Sequence, residues 1–189
     1  MSNHVAAIAR TTADRAKPVA LPLLFAVLMW ASTAAGAVPI PGTPVPITLQ
    51  TMVVMLAGLM LTPSQAAMSV AMYLGAGAAG LPVFTGGMST AALISPTGGF
   101  LLGFLPGVVV IALLKGRRRA GSAFWTVPRY ALASVAGGIL TVYAFGIVMQ
   151  SVLTGVPIAA IAVASAGFIV GDLVKAAVAS LTAAALNRR

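Results

Sequence analysis

Long apolar runs, separated by short segments that hold nearly all of the charge, are the feature that most constrains this fold. Hydrophobic residues make up 60% of the 189 and charged residues only 7%, whereas a soluble domain carries about 25% charged residues. Several of the runs approach the ~20 residues that a helix needs to cross a bilayer. The sequence therefore predicts an all-α integral membrane protein.

The basic residues predict how these runs are oriented. Basic clusters at 10–17, 115–119 and 188–189 adjoin apolar runs, which is typical of cytoplasmic loops and not of a nucleic-acid-binding face. Following the chain from one side to the other predicts six transmembrane helices with both termini cytoplasmic. The predicted segments are a tail at 1–18, helices at about 19–38, 47–61, 65–81, 99–114, 128–150 and 170–186, and a C-terminus at 187–189.

The last apolar region, 157–186, is longer than one perpendicular crossing requires. As a single helix it would span ~45 Å, and the hydrocarbon core is only ~30 Å thick. We therefore expect 151–168 to be an outer connection and the sixth crossing to start near Gly171. Asp172 would then lie in its first turn, where a carboxylate meets the positive end of the helix dipole.

Asp172 and Lys175 are the two charges that lie inside an apolar run and away from its predicted cytoplasmic end. The chain has one other acidic residue, Asp14, and every basic residue except Lys175 is on the predicted cytoplasmic side, including Arg129 at the start of the fifth run. At a spacing of i and i+3 they share a helix face, and ionisable residues within membrane segments generally mark functional sites. With the loops at 39–46 and 82–98, they predict an outer pocket for a small ligand that has both a donor and an acceptor.

Catalytic chemistry lacks the side chains it needs. The chain has no cysteine, and its single histidine, His4, lies in the polar N-terminal tail, so neither a catalytic triad nor a metal site is expected. The glycines at 75–80 match the dinucleotide fingerprint by letter, but no strand precedes them and no acidic residue follows about 20 residues on. We expect no enzyme activity, no catalytic residue, no metal and no cofactor.

Four motifs, in this order and spacing, resemble a known family. They are 44–51 (PVPITLQT), 80–84 (GLPVF), 96–100 (PTGGF) followed by Gly103 and Phe104, and 171–175 (GDLVK). They are similar to the biotin-specific substrate-binding (S) components of energy-coupling-factor (ECF) transporters, the BioY family. The resemblance covers about 19–186.

The resemblance implies a six-helix protein that captures biotin at the outer face of the bacterial plasma (inner) membrane. It implies partnership with membrane lipid, a transmembrane coupling protein and ABC-type ATPase subunits. Asp172 and Lys175 match the family's contacts to the ureido ring of biotin, and Ala31 and Ala35 resemble its contact surface for the coupling protein. The other substrate-binding residues it implies are Thr48, Gln50, Phe84, Thr97, Gly98 and Gly99.

Apart from Lys175, no basic residue is predicted in the outer half of the membrane to bind the carboxylate of biotin. That group either stays near water or is held by backbone and hydroxyl groups.

Two other functions remain compatible with the residues themselves. One is a proton-coupled secondary transporter of a small vitamin-like molecule, with Asp172 as the proton carrier. The other is a structural membrane protein in which Asp172 and Lys175 are merely paired.

Overall fold

A computed structural model describes residues 19–39, 43–116 and 123–187, and over these residues the chain is helical. The predicted tail at 1–18, the basic residues at 117–119 and the last two arginines lie outside the described residues. The helices are α1 Val19–Ala34, α2 Gln50–Met60, α3 Pro63–Ala78, α4 Thr90–Leu93, α5 Gly98–Leu114, α6 Ala123–Ser134, α7 Val142–Thr154 and α8 Ile158–Leu186.

Local signals account for most of the helix boundaries. Helix α3 begins after Thr62, whose hydroxyl and the Gln65 side chain form a capping box, so two backbone N–H groups at the helix start are satisfied. Helix α2 begins at Gln50, three residues later than predicted, because the preceding Ile47 pairs with Val38 in an antiparallel bridge.

The region 157–186 differs from the prediction. Helix α7 ends at Gly155, which has a φ of 70°, and α8 then runs without interruption from Ile158 to Leu186. The expected outer connection at 151–168 and the expected helix start near residue 170 are therefore wrong. The stretch after Pro157 is rich in alanine, isoleucine and valine and has no proline to break it. A helix longer than the bilayer is thick can be accommodated by tilting.

Helices α6 and α7 are joined by a π-helical segment, Val135–Thr141, in which the Thr141 hydroxyl donates to the Ala136 carbonyl at 2.9 Å. The result is one 30-residue apolar helix, Trp125–Thr154. Within the described residues, this helix and α8 are long and apolar enough to cross a membrane, and α1, α2 and α5 are shorter apolar helices.

Helix α5 packs against α2, α3, α7 and the π-helical segment. Glycines allow this close approach. A Cβ atom added at Gly107 would lie 2.6 Å from the Gly137 carbonyl oxygen, and one at Gly103 would lie 3.1 Å from Val142 Cα. Small residues at helix contacts are typical of membrane proteins, because van der Waals packing replaces the hydrophobic driving force there.

Large apolar side chains cover the outside of the bundle. Leu132, Val152, Val163 and Val170 are each more than 70% exposed. A soluble monomer rarely shows extensive apolar patches, whereas the hydrocarbon of a bilayer solvates such a surface. The exposed surface therefore agrees with an all-helical membrane protein.

Candidate functional site

A cavity of about 230 Å³ lies among α2, α5, α7, α8 and the loops before α2 and α4. Ligand sites are typically mostly apolar, with a few polar groups that fix orientation, and this cavity has that make-up. Its walls are formed by Pro44, Val45, Pro46, Ile47, Thr48, Gln50, Thr51, Phe84, Thr85, Met88, Ala92, Thr97, Phe100, Leu101, Phe104, Val142, Tyr143, Phe168, Asp172 and Lys175.

Asp172 and Lys175 form an ion pair on one wall, with Lys175 Nζ 2.8 Å from Asp172 Oδ1. Thr51 bridges the pair, because its hydroxyl donates to Asp172 Oδ1 at 3.0 Å and accepts from Lys175 Nζ at 3.1 Å. The Tyr143 hydroxyl donates to Asp172 Oδ2 at 2.7 Å. We call Thr51, Tyr143, Asp172 and Lys175 the charged cluster.

The charged cluster is buried, since Asp172 is 4% exposed and Lys175 is 9% exposed. Desolvating two charges costs several kcal/mol for each ion, and the attraction between them offsets this only when further hydrogen bonds satisfy the remaining donors and acceptors. Thr51 and Tyr143 supply those bonds. Helices α2 and α7 therefore stabilise a pair whose two members both lie on α8.

The charged cluster keeps one donor and one acceptor for a ligand. An ammonium has three N–H donors, and Lys175 uses two of them within the cluster. A carboxylate oxygen accepts about two hydrogen bonds, and Asp172 Oδ2 accepts one, from Tyr143. Both residues border the cavity, so a molecule that presents adjacent donor and acceptor groups can bind both at once.

Asp172 lies near the middle of α8 and not in its first turn as predicted. The field of a helix terminus falls off within the first turn, so it does not act on this carboxylate. The long helix also brings Phe168 onto the face that carries Asp172 and Lys175, because side chains at i and i+4 lie above one another. Phe168 borders the cavity for this reason.

Aromatic rings form the wall beside the charged cluster. Phe100, Tyr143 and Phe168 contact each other edge to face, with ring centroids 6.1–6.4 Å apart. Such geometry is favourable for aromatic pairs, and it fixes the orientation of the three rings. A flat or compact apolar ring system would pack against this wall.

A second polar group of residues lies where α2 faces α3. Gln50 Nε2 donates to the Tyr73 hydroxyl, which donates in turn to the Val83 carbonyl at 3.2 Å. The Thr48 and Thr85 hydroxyls donate to Gln50 Oε1 at 3.3 and 3.5 Å. We call Thr48, Gln50, Tyr73 and Thr85 the neutral cluster, because none of its side chains carries a formal charge.

The predicted site residues divide into two sets. Six of the eight border the cavity, and Gly98 and Gly99 do not. A Cβ atom at Gly98 would lie 2.1 Å from the Leu93 carbonyl oxygen, and one at Gly99 would lie 2.6 Å from Met149 Cβ. These two glycines therefore allow the start of α5 to pack closely. The six that border the cavity are Thr48, Gln50, Phe84, Thr97, Asp172 and Lys175.

The cavity wall also contains four residues that were not predicted as site residues: Thr51, Phe100, Tyr143 and Phe168. Tyr143 could have been predicted as a site residue from the sequence. The hydroxyl of a buried tyrosine needs a hydrogen-bond partner, and Asp172 is the only acidic residue in the apolar runs. Thr51 lies within the motif 44–51, but nothing in the sequence shows that it faces α8.

Ala31, in the last turn of α1, and Ala35, directly after that helix, are both exposed. They border no part of the cavity. In the described part of the chain, no group of three or more His, Cys, Asp or Glu side chains comes together to hold a metal ion.

Comparison with known proteins shows similarity along almost the whole chain. The sequence model of the BioY family matches residues 3–189. The biotin transporter BioY of Rhizobium etli is 36% identical over 168 residues, which cover 87% of this chain and 90% of that protein. The biotin transporter BioY of Thermotoga maritima is 36% identical over 152 residues, which cover 79% and 85%.

The fold agrees with a solved structure as well. The crystal structure of the S-component for biotin from an ECF-type ABC transporter matches this chain with a TM-score of 0.85 and 26% identity, over 93% of each chain. The resemblance that the four sequence motifs indicate is therefore confirmed by the family match, the relatives and the fold. This chain belongs to the BioY family, a family of membrane transport proteins and not of enzymes.

Proposed function

We propose that this protein captures biotin and takes part in its uptake as the substrate-binding S component of an ECF-type ABC transporter. One observation carries the proposal. The buried charged cluster keeps one donor and one acceptor for a ligand in an otherwise largely apolar cavity. The similarity to biotin transporters and to a biotin S-component names the ligand.

The ureido group of biotin suits the charged cluster. Its carbonyl oxygen accepts hydrogen bonds and its N–H groups donate them, so it complements the free donor of Lys175 and the free acceptor position of Asp172. The fused sulfur ring would lie against the wall of Phe100, Tyr143 and Phe168. Thr48, Gln50, Phe84 and Thr97 complete the proposed binding site.

We propose six membrane crossings, formed by α1, α2, α3, α5, the α6–α7 helix and α8, with both termini cytoplasmic. Support comes from the arrangement of the described basic residues. The ammonium of Lys115 donates to the Leu61 carbonyl at the end of α2, and the Arg129 side chain lies beside Gly116. Both contacts are at the opposite end of α5 from the cavity, which would open to the outer face of a bacterial inner membrane.

The proposed partners are a transmembrane coupling protein, ABC-type ATPase subunits and membrane lipid. The exposed alanines Ala31, on α1, and Ala35, directly after it, are the proposed contact surface for the coupling protein, since small side chains let another helix approach closely. A transporter of this type needs partners to couple ATP hydrolysis to uptake, because the chain lacks a Walker A motif.

Titration of the purified full chain with biotin tests the capture function, with thiamine and riboflavin as controls. We expect saturable binding of biotin and none of the controls. Binding of thiamine or riboflavin in place of biotin, or no binding of any of the three, would contradict the proposal.

Reconstitution in liposomes tests the mode of transport. We expect the chain alone to bind biotin without accumulating it under a proton gradient. Accumulation that an uncoupler abolishes would instead support a self-sufficient proton-coupled transporter.

A further inference from the structure

Among the described residues, the cavity wall offers no separate cation to the second polar end of a ligand. Among the described residues that border it, Asp172 and Lys175 alone carry a formal charge, and they are paired with each other at 2.8 Å. A carboxylate buried here would therefore lack a counter-ion. Burying a charge without a partner is expensive, whereas burying a neutral carbonyl that accepts a hydrogen bond is not.

The other described cations are too far from the cavity to act as a counter-ion for a ligand carboxylate. Phe104 is the residue of α5 bordering the cavity that is nearest to Lys115 in sequence, and Lys115 follows it eleven residues later, at the C-terminal end of α5, which corresponds to about 16 Å along a helix. Arg129 lies beside Gly116, at that same end. The loop residues at 40–42 are uncharged in sequence.

The neutral cluster provides an alternative to a cation. Gln50 and Thr51 are consecutive residues on α2, so their side chains diverge by about 100°. Thr51 faces α8 and belongs to the charged cluster, whereas Gln50 faces α3 and belongs to the neutral cluster. The cavity thus has two separate polar regions, which suit the two ends of an elongated ligand.

The Thr85 hydroxyl is the donor of the neutral cluster that can turn to a ligand without leaving Gln50 Oε1 unsatisfied. Tyr73 gives its only proton to the Val83 carbonyl, so Gln50 donates to Tyr73 and turns Oε1 toward the two threonines. Thr48 and Thr85 reach Oε1 at 3.3 and 3.5 Å, longer than the 2.5–3.0 Å of a usual O–H···O bond. Thr85 has the longer bond, and Thr48 still satisfies Oε1 when Thr85 turns to a ligand oxygen.

We propose that the neutral cluster recognises the tail of the ligand as a hydrogen-bond acceptor and not as an anion. The site then accepts cyclic ureas whose tail ends in an uncharged carbonyl, such as an amide, at least as well as those that end in a carboxylate. This inference rests on the proposed function, since it takes the charged cluster to hold the urea.

Titration of the full chain with three probes tests the inference: biotin, biotinamide, and a biotin analogue whose tail is a plain alkyl chain. We expect biotinamide to bind at least as tightly as biotin, because its neutral tail is buried without the cost of an unpaired charge. The alkyl analogue should bind about 3- to 10-fold more weakly, as the loss of one hydrogen bond predicts. Biotinamide binding that is more than about thirtyfold weaker than that of biotin would overturn the inference, because it would reveal a cation at the tail.

Variants at Thr85 test whether its hydroxyl is the group that donates a hydrogen bond to the ligand tail. Thr85→Val should weaken biotin and biotinamide by the same factor, about 3- to 10-fold, and leave the alkyl analogue unchanged, while Thr85→Ser should restore both. Thr182→Val is the matched control, because Thr182 is exposed on α8 away from the cavity, and it should alter no affinity. Equal binding of both probes by Thr85→Val and the parent chain would show that Thr85 is not the donor.

The outcomes separate this inference from the proposed function. A chain that binds biotin and rejects biotinamide contradicts the inference alone. A chain that binds neither probe contradicts the proposed function, and the inference fails with it.

Discussion

Thr51 is an uncharged member of the charged cluster, and although it ends the motif 44–51, nothing in the sequence shows that it contacts the ion pair. Its single hydroxyl accepts from Lys175 Nζ and donates to Asp172 Oδ1, so it holds both members of the ion pair to α2. Two charges on one helix can pair by themselves, but they do not thereby acquire a fixed position relative to the rest of a cavity. Thr51 and Tyr143 supply that position.

Removing one member of the ion pair should be worse for folding than removing both. Lys175→Met leaves Asp172 as an uncompensated buried charge, and we expect the free energy of unfolding to fall by about 3–5 kcal/mol. The double variant Asp172→Asn, Lys175→Met should regain part of that stability and still fail to bind biotin. Thermal unfolding in detergent and biotin titration measure the two effects. A double variant that binds biotin like the parent would exclude the pair from the site.

Tyr143→Phe tests whether the tyrosine hydroxyl orients Asp172. The change removes the donor at 2.7 Å from Asp172 Oδ2 and keeps the ring, so we expect biotin to bind about tenfold more weakly, equivalent to about 1.4 kcal/mol. Tyr130→Phe is the matched control, because its hydroxyl accepts from Asn187 at the far end of the bundle. Equal losses in the two variants would indicate a general loss of stability and not a role for Tyr143 in the site.

Helix α8 shows why an argument from length alone failed. The prediction divided 157–186 because a perpendicular helix of that length exceeds the bilayer thickness. Membrane helices tilt and extend beyond the hydrocarbon, and after Pro157 this region contains no residue that must end a helix. The consequence for the site is direct, since only a continuous α8 brings Phe168 onto the face of Asp172.

The contact between α5 and the π-helical segment depends on glycine. Gly107→Ala would put a Cβ atom 2.6 Å from the Gly137 carbonyl oxygen, and backbone atoms cannot move aside as a flexible side chain does. We expect a loss of about 1–3 kcal/mol in unfolding free energy, as is usual for overpacking.

Gly75→Ala is the control for that substitution. Gly75 is exposed on α3, and a Cβ atom there would meet nothing within 4 Å. The substitution should stabilise the helix by up to about 1 kcal/mol, through helix propensity alone. Thermal unfolding of both variants measures these two changes in unfolding free energy. A Gly107→Ala variant as stable as the parent chain would contradict the close packing of α5 on the π-helical segment.

The orientation of the whole molecule can be tested with single cysteines, because the chain has none of its own. Val156→Cys places a thiol in the turn between α7 and α8, and Ser64→Cys places one at the start of α3. Both positions are exposed. In intact cells, a membrane-impermeant maleimide should label the first variant and not the second.

Permeabilised cells provide the control for that experiment, since both thiols should then be labelled. The reverse pattern in intact cells would place the cavity on the cytoplasmic side and contradict capture from outside. Labelling of both variants in intact cells would contradict the proposed number of crossings.

Much of the architecture could be predicted from residues that are close together in the chain. The apolar runs predicted helices at 65–81 and 99–114, and the observed α3 and α5, Pro63–Ala78 and Gly98–Leu114, begin and end within three residues of those bounds. The pairing of Asp172 with Lys175 was also local, because three residues along a helix bring two side chains to one face. Gly98 and Gly99 were assigned to the site by the resemblance, yet the structure gives them packing contacts instead.

Hydrophobicity and helical periodicity act over a few turns, so they are enough to predict an all-helical membrane protein whose last apolar run carries an ion pair. The surroundings of that pair depend on the tertiary structure. Thr51 is 121 residues from Asp172, and Tyr143 is 29 residues away. Contacts of that separation depend on how helices pack, and no local propensity specifies which face of α2 or α7 turns toward α8.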